Sequence, residues 1–132
     1  MVYFFIDFEN VKEDGLDALS KVKREDKIVI FYSDNTPKVN LALIGVILTR
    51  KLNVQVIKAV TGHKNSLDHQ MASFVGMTMG RNKEDDYCIV SADMAFSDLV
   101  LFYKKKKYRI YRVTQISEYY RMTGEKARSD SI

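Results

Sequence analysis

Four aspartates in this chain stand where an α/β protein could do chemistry: Asp7, Asp68, Asp93 and Asp98. Asp7 follows the apolar run VYFFI at residues 2–6. Asp93 follows YCIV through Ser91 and Ala92, with Asp98 five residues further on. Asp68 opens an apolar-periodic segment behind the polar loop 62–66. Carboxylates brought together repel one another, and a cation relieves that repulsion. Oxygen ligands with few histidines suit Mg²⁺ or Mn²⁺ rather than zinc. A pair of such ions can activate water and stabilise the leaving oxygen of a phosphodiester. Each aspartate taken singly is also a favoured helix N-cap. Caps need not converge on one crevice, whereas these acids all follow the ends of apolar runs.

The elements that must position them alternate along the chain. Short β-rich runs at residues 2–6 (VYFFI), 27–32 (KIVIFY), 53–60 (NVQVIKAV), 87–90 (YCIV) and 108–111 read as strands. Between them, helix-period segments fall at 14–22, from Pro37 to about Arg50 or Lys51, at 67–79 with Gly80 as C-cap, and at 96–103. The second of these carries Val39, Leu43, Val46 and Ile47 inward. Thr114 is a candidate N-cap for a last short helix to about Met122, and residues 123–132 read as a polar tail behind a domain spanning 1–122. Strand–helix alternation of this kind predicts a single α/β domain, a parallel sheet flanked by helices on both faces. Ligands of such sheets bind beyond the carboxyl ends of the strands.

The segments YFFIDFENV, SLDHQMASFVGMTMG and CIVSADMAFSDLV resemble the PIN-like nuclease superfamily, close to its NYN branch, in order and spacing over most of the chain. The resemblance implies a sheet in the order 3-2-1-4-5 and a metal-dependent ribonuclease. It implies Asp7 as the central ligand of Mg²⁺ or Mn²⁺, Asn10 orienting it or touching substrate, Asp68 and Asp93 as further acids, and Ser91 bonded to backbone or to a neighbouring carboxylate. Many NYN sequences carry another acid where this chain has Ala95, and Asp98, one helical turn on, could replace it. The expected function is therefore endoribonucleolytic hydrolysis of single-stranded or structured RNA, with a homodimer or a regulatory protein as possible further partners.

Other residues are open to two readings. Asp34 either enters the crevice or serves a turn before Pro37, and Glu9 is expected to point away from Asp7. His63 and His69 lie six residues apart with no cysteine nearby, which disfavours zinc. Lys64 and Asn65, in the loop at the mouth, are candidate phosphate contacts. Residues 104–112, KKKKYRIYR, pack six basic residues into nine positions. Within them Lys104, Lys105, Lys106, Lys107 and Arg109 read either as a guide for RNA beside the acids or as a solvated turn before an edge strand.

Length and composition set the outer limits. With 132 residues, 46% hydrophobic and 29% charged, the chain is of one-domain size, and disordered, collagen-like and disulfide-scaffold classes are excluded. The net charge of +4 is a mild bias. Cys88 alone cannot form an internal disulfide, no apolar stretch nears the roughly 18 residues of a membrane span, and MVYFFIDFEN lacks the basic region of a signal peptide, so a cytoplasmic protein is expected. A phosphoaspartate enzyme would want Asp-x-Asp after its first strand, where Asp7-Phe8-Glu9-Asn10 stands. A receiver domain would want an acid after strand three, where Ala59-Val60-Thr61 stands. The remaining alternative is an inactive PIN-like module that binds RNA or a protein, which Ala95 favours.

Overall fold

The computed structural model describes residues 1–35, 38–60 and 65–131. The strands β1 (Val2–Asp7), β2 (Lys27–Tyr32), β3 (Asn53–Lys58), β4 (Asp86–Val90) and β5 (Arg109–Val113) form one sheet in the order β3-β2-β1-β4-β5. Every neighbouring pair is parallel. Around it lie α1 (Phe8–Val11), α2 (Leu41–Thr49), α3 (Ser66–Arg81), α4 (Ala95–Lys105) and α5 (Ile116–Ser131). This is the expected α/β domain with the expected strand order.

The period-two side-chain alternation of β1 builds both halves of the core. Phe4 and Ile6 enter one apolar cluster with Leu16, Leu19, Val22, Ile116 and Tyr119. Phe5 enters the other, with Met71, Val75 and Met79 of α3 and Phe96 and Val100 of α4. Asp7 shares the parity of Phe5 and so ends β1 on the α3 side.

Several local expectations need correction. Residues 14–22 do not form an α-helix: the chain turns directly from β1 into the four-residue α1, and 3-10 turns follow at Lys12–Leu16 and Leu19–Lys21. The strict three-residue spacing of Leu16, Leu19 and Val22 fits the 3.0-residue period of a 3-10 turn better than 3.6, and all three are buried. Gly15 is required there, because a Cβ would collide with the Val11 side chain. Gly80 lies inside α3, which runs on to Arg81 and closes at Asn82. α2 begins at Leu41, where the Asn40 side chain accepts the Ala42 N–H at 2.8 Å; Pro37 lies outside the described residues. Leu43 and Ile47 do pack against the core, but Val39 and Val46 are exposed. α5 continues to Ser131, past the end expected near Met122. Among the described residues no helix is long and apolar enough to cross a membrane.

Candidate active site at the carboxyl ends of the strands

Asp7 is the last residue of β1 and only 3% exposed. It is held rather than free: the fully buried Ser91 donates its hydroxyl to Asp7 Oδ2 at 2.8 Å, and the Asn10 N–H bonds to the same carboxyl group. Ser91 follows β4 and in turn accepts the Asp93 N–H at 3.1 Å. Asn10, on α1, accepts the Ala92 N–H through its side-chain oxygen at 2.8 Å. These bonds tie the end of β1 to the end of β4 and fix the turn that presents Asp93. Asp93 Oδ1 accepts the Ala95 N–H at 2.9 Å, so it also restrains the start of α4. Capping and clustering are therefore combined in one residue.

Asp68 arrives from the other layer. Leu67, Met71, Val75 and Met79 are the buried stripe that seats α3 on the sheet. The Gln70 amide clamps Val60 beyond β3, accepting its N–H and donating to its carbonyl, both at 2.8 Å. The first turn of α3 then brings Asp68 into a hydrogen bond with Asp93.

The electrostatics follow from this crowding. Burial lifts the Asp7 carboxyl above its ordinary value, Ser91 and Asn10 work against that, and the charges of Glu9 and Asp93 add to it. Asp68 is pushed up to about 7, first by burial, then by the bond to Asp93 and by the charges of Asp7, Asp93 and Glu9. Asp93 moves the other way: the Ala95 N–H, the bond with Asp68 and the nearby Arg112 charge hold its carboxyl below the usual range. Below about 7, where Asp68 is protonated, its hydrogen bond to Asp93 relieves part of the mutual repulsion.

Two residues enter this set that sequence reasoning did not place there. Glu9 was expected to point away, yet it bears on both Asp7 and Asp68 and accepts the Ser33 hydroxyl at 2.7 Å. The reason is that α1 starts at Phe8, so the strand's extended geometry stops before Glu9. Arg112, near the end of β5, donates to the Ser91 carbonyl at 2.9 Å and to the Ser97 hydroxyl at 3.0 Å, and lies 3.6 Å from the Met94 sulfur. The strand-end rule that singled out Asp7 and Asp93 applies equally to β5 and could have found it.

Other candidates fall elsewhere. Asp98 is exposed on the first turn of α4 and is not among the charges that shift Asp7 or Asp68. Asp34 is exposed and paired with Lys58 at 2.7 Å, which answers its two readings in favour of a surface role. His69 is exposed, and Asn65, with φ 68°, precedes α3 without capping it through its side chain. His63 and Lys64 lie outside the described residues. Of the basic segment only Arg112 is beside the acids, and the residues singled out within it are not. The eleven residues of α4 carry the chain back across the sheet, ~16 Å at 1.5 Å per residue. Lys104, Lys105, Lys106, Lys107 and Arg109 therefore sit at the amino ends of the strands. Arg109 is engaged there by the Asp86 carboxylate and the Glu84 carbonyl.

The donor set at the carboxyl end is oxygen-only, crowded and partly protonated, which is the chemistry a hard divalent cation satisfies. Its shell is not preassembled: among the described residues no three His, Cys, Asp or Glu side chains form a finished metal-holding group. Asp7 is turned toward Ser91 and Asn10, while Asp68 and Asp93 are joined to each other by a hydrogen bond.

No curated protein and no solved structure matched the chain when it was compared with both. The family model of the PIN domain matches residues 1–113, which contain all five strands and every carboxyl of the cluster. PIN domains are typically nucleases that use divalent metal ions and bind nucleic acid, RNA in particular. On that match, over most of its length, this chain belongs to the PIN domain family.

Proposed function

We propose that this protein is a metal-dependent endoribonuclease, near the NYN branch of its family, working at the carboxyl ends of β1 and β4. The observation that carries the reading is the meeting of Asp7, Asp68 and Asp93 from three separate elements, crowded enough to push Asp68 up to about 7. Asp7, Asp93 and Asp68 would hold Mg²⁺ or Mn²⁺, with Glu9 adding charge. A cation bound there would supply Lewis-acid activation of water and neutralise charge on the phosphoryl oxygens. Ser91 and Asn10 hold the Asp7 carboxyl in one orientation, the support that ligating carboxylates need. Asp68 would have to give up any proton it carries to serve as a ligand. Arg112, whose guanidinium is already oriented by Ser91 and Ser97, is placed to accept a phosphate of the RNA strand.

Cleavage of labelled single-stranded RNA with and without Mn²⁺, run beside Asp7→Asn, tests this reading. Cleavage that needs the ion and disappears in the variant supports it. Cleavage that persists undiminished in folded Asp7→Asn protein refutes it. The unassembled shell and Ala95 favour a second reading, an inactive module that holds RNA or a protein. Under that reading divalent ions leave the melting temperature unchanged, whereas a working site raises it.

A further inference from the structure

Between α2 and the sheet, on the face opposite α3, lies a groove of about 720 Å³, a size within the roughly 300–1,000 Å³ of small-ligand sites. α2 leans on the core only through Leu43 and Ile47, and none of its residues is buried, so the helix does not close the space beneath it. The walls are aliphatic: Ile44 and Ile47 from α2, Val54 and Val56 from β3. Inward the groove reaches Phe8, which is 2% exposed. Toward the carboxyl ends of the strands its lining turns polar, with Tyr32, Ser33, Asp34 and Lys38. That polar end adjoins the acid cluster. Phe8 stands between Asp7 and Glu9 in the chain, and Ser33 donates its hydroxyl to Glu9 at 2.7 Å. Asp7 pairs with Phe31, so the acids and the groove are parted by the end of one strand, β2.

We propose that this groove takes a base of the RNA strand being cut, flanking the scissile phosphate, and selects an oxo base, guanine or uracil. The inference rests on the ribonuclease reading and adds to it the sequence that the site would read. A base is a flat apolar body with a polar edge. Aliphatic walls suit its faces and the polar end meets its edge, which is how unstacked bases of single-stranded RNA are read. The selection follows from what the polar end offers. Lys38 carries donors and no acceptor, and no carboxylate pairs with it among the described residues. The Tyr32 hydroxyl makes no hydrogen bond among them either. Asp34, which could accept from a base amine, is engaged by Lys58 at 2.7 Å. The groove thus offers donors, which guanine O6 and N7 or uracil O4 accept. Adenine and cytosine present an amine where the oxo bases present that oxygen, so donor would face donor.

Nuclear magnetic resonance titration of the metal-free full chain with the monophosphates of guanosine, uridine, adenosine and cytidine tests the groove without relying on cleavage. The guanosine or uridine nucleotide should shift the signals of Tyr32, Ile44 and Val56, and should bind at least about fivefold tighter than the other two. Val56→Trp, at a wall position 59% exposed, fills the groove and should abolish these shifts with the circular dichroism unchanged. Lys38→Ala should erase the difference between bases. Sequencing the ends left by Mn²⁺-dependent cleavage of random-sequence RNA then reads the same preference in the reaction. Guanine or uracil should be enriched at one fixed position beside the cut, and the enrichment should fall at least about fivefold in Lys38→Ala. Equal binding of all four nucleotides, shifts that persist in Val56→Trp, or a cleavage preference indifferent to Lys38→Ala would overturn the proposal. So would the absence of nucleotide shifts in a protein that self-associates through the groove, which would give the groove to a second copy. Wild-type protein that cleaves no RNA would instead overturn the ribonuclease reading, and the nucleotide titration would still decide what the groove selects.

Discussion

The two ends of the sheet treat charge in opposite ways. At the amino ends, the acids meet donors. Buried Asp26 accepts the N–H groups of Val2 at 2.8 Å and Lys23 at 3.1 Å. Asp86 holds the Arg109 guanidinium, and Asp85 lies 3.5 Å from the amino terminus. At the carboxyl ends, Asp7, Asp68, Asp93 and Glu9 press on one another, with Arg112 as the cation that bears on Asp93. Both ends contain carboxylates and both contain basic residues, so composition does not separate them. Pairing does. At the amino end Asp26, Asp85 and Asp86 each have a donor, whereas the carboxyl end needs a proton or a cation to relieve its repulsion, and such strain persists where a ligand is to be bound.

The contrast breaks most sharply with Asp7→Asn. That substitution should cut metal-dependent RNA cleavage by at least about 100-fold, with the fold retained in circular dichroism, because it removes the most restrained carboxyl of the cluster. The corresponding change at the other end, Asp86→Asn, should leave cleavage untouched and cost stability of about 1 kcal/mol or less, as exposed ion pairs do. Ser91→Ala releases Asp7 without removing it and should raise the Mn²⁺ concentration needed for half-maximal cleavage by about 10- to 100-fold. The basic residues sharpen the comparison further. Arg112→Gln should slow cleavage about tenfold and flatten its salt dependence, while Lys105→Ala/Lys106→Ala at the amino end should change it less than about twofold.

The smallest effect is on thermal stability. Folded Asp68 keeps its proton up to about 7, whereas an unperturbed aspartate loses it near 3.8. Between those values the native state binds more protons than the unfolded one, so stability falls as pH rises. Asp7, also raised, acts in the same direction, and the lowered Asp93 acts only below this window. Metal-free protein should therefore melt a few degrees lower at pH 8 than at pH 5. Asp68→Asn should flatten that slope, and a saturating divalent ion should reverse it.

How much of this was legible beforehand depended on range. β1 was readable because VYFFI is apolar at every position, the mark of a strand covered on both faces, and that run led directly to Asp7. The strand–helix alternation predicted the parallel sheet. The helix expected at 14–22 failed because apolar residues three apart fit two periods, and their spacing alone does not choose between them. The inward set assigned to α2 was half right. An all-apolar helix carries no polar face to show which side it turns outward, so Leu43 and Ile47 could not be told from Val46. The basic run 104–109 follows Asp93 closely in sequence, but α4 lies between them and reverses the direction of travel, so nearness along the chain became distance across the sheet. Glu9 depends on contacts between residues far apart in sequence, which no local pattern reports, whereas Arg112, near the end of β5, was within reach of the strand-end rule.

The central claim is that the crowded carboxyl end takes a divalent cation in exchange for a proton. Calorimetric titration of the metal-free protein with Mn²⁺ near pH 7, repeated in buffers of different protonation enthalpy and compared with Asp7→Asn, measures both sides of that exchange. The account predicts saturable binding by the wild type with release of a proton, and affinity reduced at least about tenfold in the variant. Absence of binding, binding without proton release, or equal binding by Asp7→Asn would contradict it.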